Sequence, residues 1–156
     1  MPSKNRAPFA RAASYSVSCW LYLRGLGFVS LIAFISMWSQ AGALFFFDGI
    51  APANAFLAQL SEQAINQQWN LWEQLTVAPT LFWANASDTV LTLACALGCG
   101  ASILVCINLW SGPALLLCWV LYLSLVTVAP VFFNYQWDAL LIESLFMGLI
   151  IAPWGS

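Results

Sequence analysis

Asp138 and Glu143 lie in or beside the last apolar stretch of this 156-residue chain, where a carboxylate is costly and marks a functional candidate. Five positions apart, they sit about 140° from each other around a helix, so they form no paired acid–base site on one face. At a helix start Asp138 can cap free backbone N–H groups and meet the positive end of the dipole. Glu143 is more than a turn inside the apolar run and needs a donor or a proton. Tyrosine, tryptophan N–H or serine groups on neighbouring helices are its expected partners, with plain helix packing as the competing explanation. Gln136, seven positions before Glu143, shares its face if the helix begins early enough. Gln136, Trp137, Asp138 and Glu143 are therefore the candidate polar site.

The other reactive side chains assemble into nothing catalytic. The chain has no histidine, which excludes Ser-His-Asp, Cys-His and histidine-ligated metal chemistry within it. Cys95, Cys99 and Cys106 share a helical face with Gly98 and Ser102. A soft-metal stripe lacks supporting histidine or carboxylate, so the face reads as a small-residue surface for close helix approach. Through Cys95, Gly98, Cys99 and Ser102 it could also support oligomerisation. Five cysteines, none in the polar loop, argue against a disulfide framework. No phosphate-cradling glycine loop occurs. Neither a metal nor another cofactor is expected.

These residues sit on elements that composition assigns to a bilayer. The chain is 62% hydrophobic and 6% charged, far below the charge a water-facing surface usually carries. Apolar runs at about 25–47, 89–110 and 114–133 are long enough to cross a ~30 Å core. A fourth, about 139–153, is short for a span unless it begins earlier or is re-entrant. Pro130 is expected to bend or end the third run, and Ser111-Gly112-Pro113 to form a tight turn before it. The expected fold is all-α, a multi-pass transmembrane bundle with about four hydrophobic segments.

Charge orients the bundle. Lys4, Arg6, Arg11 and Arg24 are the only cations, and all precede the second run; the six acids follow them. Residues 1–19 therefore read as a basic cytoplasmic tail, and Arg24 as the snorkelling residue that sets orientation. Residues 20–156 form the membrane domain, with an extracytoplasmic loop at 48–88. The triplet Ala41-Gly42-Ala43 also resembles a signal-peptide cleavage site, but Phe45-Phe46-Phe47 prolong the apolar run, which favours a retained helix. Within the loop, Phe56, Leu57, Leu60, Ala64 and Ile65 recur with helical spacing and predict an amphipathic helix on the outer membrane face. Trp69, Trp72, Phe82 and Trp83 are expected at the interface, and Asp48, Trp69 and Trp72 are candidate interface contacts. A net charge of -2 without a basic cluster excludes nucleic acid as a partner.

Several segments, taken in order, resemble the lipase maturation factor family. The most specific runs from Tyr135 through Gln136-Trp137-Asp138 to Glu143, followed by Ala152-Pro153-Trp154. Trp20–Gly27, Leu31–Phe34, Asp48–Ala53, Pro79–Trp83 and Leu121–Leu125 support it. The resemblance covers Trp20 to Trp154 and implies the N-terminal membrane region of a polytopic protein that assists folding or assembly of exported, lipase-like clients. Family members continue further, with more spans and an extramembrane portion. Ser144-Leu145 and Pro130 depart from the family pattern. The short tail looks like the bacterial form, so the bacterial inner membrane is expected, or the endoplasmic reticulum membrane in a eukaryote. A non-enzymatic maturation factor is the main reading. The alternatives are a membrane enzyme or carrier using Glu143, since the membrane region also looks distantly like that of vitamin K-dependent carboxylases, and a truncated fragment without independent function.

Overall fold

The computed structural model describes residues 8–133 and 136–152, with side chains from residue 17 onward. Lys4, Arg6, Tyr135, Pro153, Trp154 and the Arg11 side chain lie outside the described residues. Among those described, all regular structure is helical: α1 (Pro8–Leu44), α2 (Ala53–Asn66), α3 (Leu71–Val77), a 3₁₀ turn (Leu81–Trp83), α4 (Asp88–Ile107), α5 (Ser111–Val128), α6 (Pro130–Phe133) and α7 (Gln136–Ile151). Three helical stretches are long and apolar enough to cross a membrane: Val17–Leu44, Asp88–Ile107 and Ser111–Val128. At 16 residues α7 reaches only ~24 Å, short of the hydrocarbon thickness.

The first run begins earlier than hydropathy predicts, because helix already starts at Pro8 inside the expected polar tail. It also ends earlier. Phe45, Phe46 and Phe47 leave the helix in a tight turn, and the Phe45 and Phe46 N–H groups both donate to the Ala41 carbonyl. The turn before α5 is displaced as well. Ser111, Gly112 and Pro113 form the first turn of α5, where Pro113 forfeits no hydrogen bond because the leading N–H groups of a helix have no internal partner. The chain reverses instead at Asn108–Trp110. Asn108 takes a left-handed conformation (φ 63°), and the Leu109 N–H donates to the Leu104 carbonyl at 3.0 Å, closing a Schellman-type end. Trp110 also has positive φ (51°), an uncommon state for a bulky residue. Pro130 does end α5, standing as the first residue of α6.

Consecutive long helices run antiparallel. As α1 advances from Gly27 through Phe34 to Phe47, its neighbours recede from Cys106 through Gly98 to Asp88. Along α5, Leu115, Trp119 and Tyr122 meet Gly148, Phe146 and Asp138 of α7 in the same reversed order. The outgoing end of α1, the start of α4, the end of α5 and the start of α7 therefore gather at one end of the bundle. Asp48, Asp88 and Asp138 all stand there.

The core is densest where α1 crosses α4. Phe34, Met37, Ala41, Leu91, Cys95 and Val105 are fully or almost fully buried. A methyl group at Gly98 would overlap the Phe34 ring, so the small-residue face lets α1 approach closely. That surface is used within the chain. Cys95, Gly98 and Ser102 are buried against α1 and α5, and only Cys99 keeps partial exposure. All five cysteines are free thiols.

Ser30 donates to Ser102 Oγ at 3.0 Å, and Ser102 donates to the Gly98 carbonyl at 2.8 Å. Hydroxyls buried in an apolar seam must find acceptors: Ser30 has the Gly27 carbonyl of its own helix and Ser102 across the seam, both at 3.0 Å, and Ser102 uses the Gly98 carbonyl within α4.

Candidate functional site

At the acidic end of the bundle, α7 begins at Gln136, earlier than the apolar run suggests, so Gln136 and Trp137 belong to helix and not to a loop. The early start puts Asp138 in the first turn and aims it inward. Its Oδ1 accepts the Tyr122 hydroxyl at 2.6 Å. Tyr122 is buried on α5, and its ring meets Phe34 of α1 edge-on at 5.5 Å. One hydrogen bond and one aromatic contact thus join three long helices. A charge-assisted bond of this length belongs to the stronger class of protein hydrogen bonds.

The loop between α1 and α4 is tied to the same end. The Phe47 N–H donates to Asp88 Oδ1 at 3.0 Å, linking the exit of α1 to the entry of α4. Thr80 is buried, its hydroxyl donating to the Ser124 carbonyl at 3.2 Å, while the Leu81 N–H donates to Ser124 Oγ at 3.2 Å. Phe82 is buried and the Trp83 indole donates to the Ala78 carbonyl at 3.0 Å. Phe82 and Trp83 therefore pack inward instead of anchoring the loop in lipid: residues 78–83 form a plug on α5. Expected helix α2 is present, burying Ala53, Leu57 and Ala64. Ile65, expected on its apolar face, is 76% exposed.

Helix α3 lies within a segment read from sequence only as interface aromatics. Asn70 and Glu73 form its capping box, with the Asn70 N–H donating to Glu73 Oε2 at 2.6 Å. That signature was readable as Asn-x-x-Glu. Exposed apolar side chains here include Trp72 (80%), Leu71, Leu75, Val77 and Ile65, and Phe47 and Ile50 are exposed in the same loop. Trp69 is partly buried, its indole bonded to Gln67 Oε1 at 2.8 Å. Asp48 is exposed.

The candidate polar residues divide into two environments. Gln136, Trp137 and Glu143 are exposed on α7, whereas Asp138 turns inward. Gln136 and Glu143 share a face as their spacing requires. Among the described residues, however, none of the expected donors reaches Glu143. The Tyr22 hydroxyl donates to the Ser144 carbonyl at 3.1 Å, and Tyr122 serves Asp138. Arg24 lies over the Trp20 ring at 4.9 Å, with Nη1 reaching the Val105 carbonyl at 3.4 Å. Sequence reasoning did not pair Tyr122 with Asp138, nor Thr80 with Ser124. These partners lie on different elements, and no local spacing announces them. Among the described residues no group of three or more acidic, cysteine or histidine side chains could hold a metal.

Comparison with known proteins gives this arrangement a context. The chain is 38% identical over 140 residues to lipase maturation factor 2 of Gallus gallus, covering 85% of this chain and 19% of that protein. It is 32% identical over 160 residues to lipase maturation factor 1 of Bos taurus, covering 96% of this chain and 27% of the relative. The chain thus spans about a fifth to a quarter of the length of these relatives. No solved structure matches it. The model of the lipase maturation factor transmembrane domain matches residues 17–156. A match over nearly the whole bundle makes this chain a membrane protein of the lipase maturation factor family.

Proposed function

We propose that this chain is the membrane module of a factor that assists the maturation of exported lipases. The observation that carries the reading is the family match across residues 17–156, in a chain whose described surface is dominated by apolar helix faces. Its N-terminus is cytoplasmic, following the four early cations. The acidic end of the bundle then faces the periplasm of a bacterium or the lumen of the endoplasmic reticulum. There the α2–α3 region and the start of α7 present Asp48, Trp69, Trp72, Gln136 and Trp137 as an apolar and acidic rim. Exposed aromatic rings suit both the lipid interface and the apolar surface of a client that has not finished folding. The Tyr122–Asp138 bond holds the α7 part of that rim to the bundle, the Asp88 and Ser124 contacts hold the loop, and the role is non-enzymatic.

The test is secretion of an active lipase from cells that depend on the full chain. Combined alanine substitution at Trp69, Trp72, Gln136 and Trp137, with normal amounts of the variant in the membrane, is expected to lower active lipase several-fold while lipase synthesis is unchanged. Unchanged active lipase would refute the rim as the client surface.

A further inference from the structure

The lipid-facing side of the α5–α7 seam holds two polar groups whose partners are not found in the described fold. Glu143 is exposed about 10 Å along α7 from Gln136. It makes no hydrogen bond or ion pair with another described residue. Beside it the indole Nε1 of Trp119 is buried and has no acceptor. Both residues line a groove of ≈ 390 Å³ with Ile142, Phe146 and Met147. The rings of Trp119 and Phe146 lie 5.7 Å apart in its wall.

We propose that this groove seats a transmembrane helix, from outside the described bundle, that carries an arginine or lysine at the depth of Glu143. The reasoning is one of charge complementarity. An ionisable side chain in a bilayer faces a bundle interior or pairs with another polar group, and Glu143 does neither. A carboxylate offers about four acceptor sites. Trp119 can offer one neutral N–H, which leaves the charge uncompensated. A basic side chain supplies both the countercharge and further donors.

The groove fits the rest of such a side chain. Its methylenes would lie against Ile142 and Met147, and its cationic head beside the paired Trp119 and Phe146 rings, since aromatic rings attract cations. A second copy of this chain is the poorer occupant. All four of its cations fall at or before Arg24, and Arg24 is already engaged by Trp20 and Val105.

The test uses the full chain in phosphatidylcholine vesicles, where uncharged lipid gives a cationic peptide no electrostatic attraction. Labelled leucine-based transmembrane peptides carry one arginine, one glutamine or no polar residue at the corresponding depth, and association is read by energy transfer. The arginine peptide is expected to bind about tenfold more tightly than the all-leucine peptide, the scale of one interhelical polar contact. Glu143→Leu and Glu143→Gln are expected to abolish the preference for arginine with helical content unchanged by circular dichroism, and Glu143→Asp to retain part of it. Equal binding of the three peptides, or a preference that survives Glu143→Leu, would overturn the proposal. Full retention in Glu143→Gln would overturn it by showing that charge is not what the groove reads. Self-association of the chain that depends on Glu143 and excludes the arginine peptide would overturn it in favour of a second copy.

Discussion

The α1–α4 seam and the α5–α7 seam solve the problem of polar groups in a membrane domain in opposite ways. At the buried centre of the α1–α4 seam the polar side chains are small and both hydroxyls are used: Ser30 donates to Ser102, and Ser102 to the Gly98 carbonyl. Gly98 meanwhile admits the Phe34 ring. Between α5 and α7 the polar groups are larger and unevenly served. At the acidic end Tyr122 satisfies Asp138, while farther along the seam the Trp119 indole is unmet and Glu143 turns away from the bundle. The contrast separates a seam complete in itself from one with polar capacity left over. Capacity left over at a lipid-facing site is what an interface needs, and a closed seam is what a scaffold needs.

The largest effect is expected from forcing the closed seam apart. Gly98→Leu drives a side chain into the Phe34 ring and should cost about 3 kcal/mol or more, because both groups sit between helices that cannot separate cheaply. Steric-trapping or denaturant unfolding in bicelles would measure it, and a loss below about 1 kcal/mol would mean that the seam is looser than the packing shows. At the open seam the sign reverses. Glu143→Leu should favour insertion of α7 by about 2 kcal/mol in a translocon-insertion assay, since it removes an exposed acid from the apolar run. Unchanged insertion would place Glu143 in water or on an internal partner. The smallest effect belongs to Ser102→Ala, expected to cost about 0.6–1.5 kcal/mol because interhelical hydrogen bonds in membranes are individually modest. A much larger loss would show that the hydroxyl chain acts as a unit.

Much of this was legible from the residues and some was not. The apolar runs locate the long helices, because a bilayer demands length and hydrophobicity whatever the packing. The ends were misplaced where local chemistry outweighed hydropathy. Ser111-Gly112-Pro113 reads as a turn, yet a first helical turn needs no internal N–H partners, and the actual reversal depends on Asn108 accepting a left-handed conformation. The opposed directions of Asp138 and Glu143 followed from their spacing on one helix. Their partners did not follow, because Tyr122 becomes the neighbour of Asp138 only once α5 and α7 pack. The same limit hid the docking of Thr80 and Leu81 on Ser124, which turned two expected interface aromatics, Phe82 and Trp83, toward the protein.

The central structural claim is that one hydrogen bond fastens the start of α7, and with it the Gln136–Trp137 part of the proposed working rim, to the core. A double-mutant cycle of Tyr122→Phe and Asp138→Ala, with unfolding free energies measured in bicelles, tests it directly. The bond predicts a coupling energy of about 1–2 kcal/mol, as for a hydrogen bond to a charged acceptor moderated by a membrane setting. Additive losses, with coupling indistinguishable from zero, would contradict it.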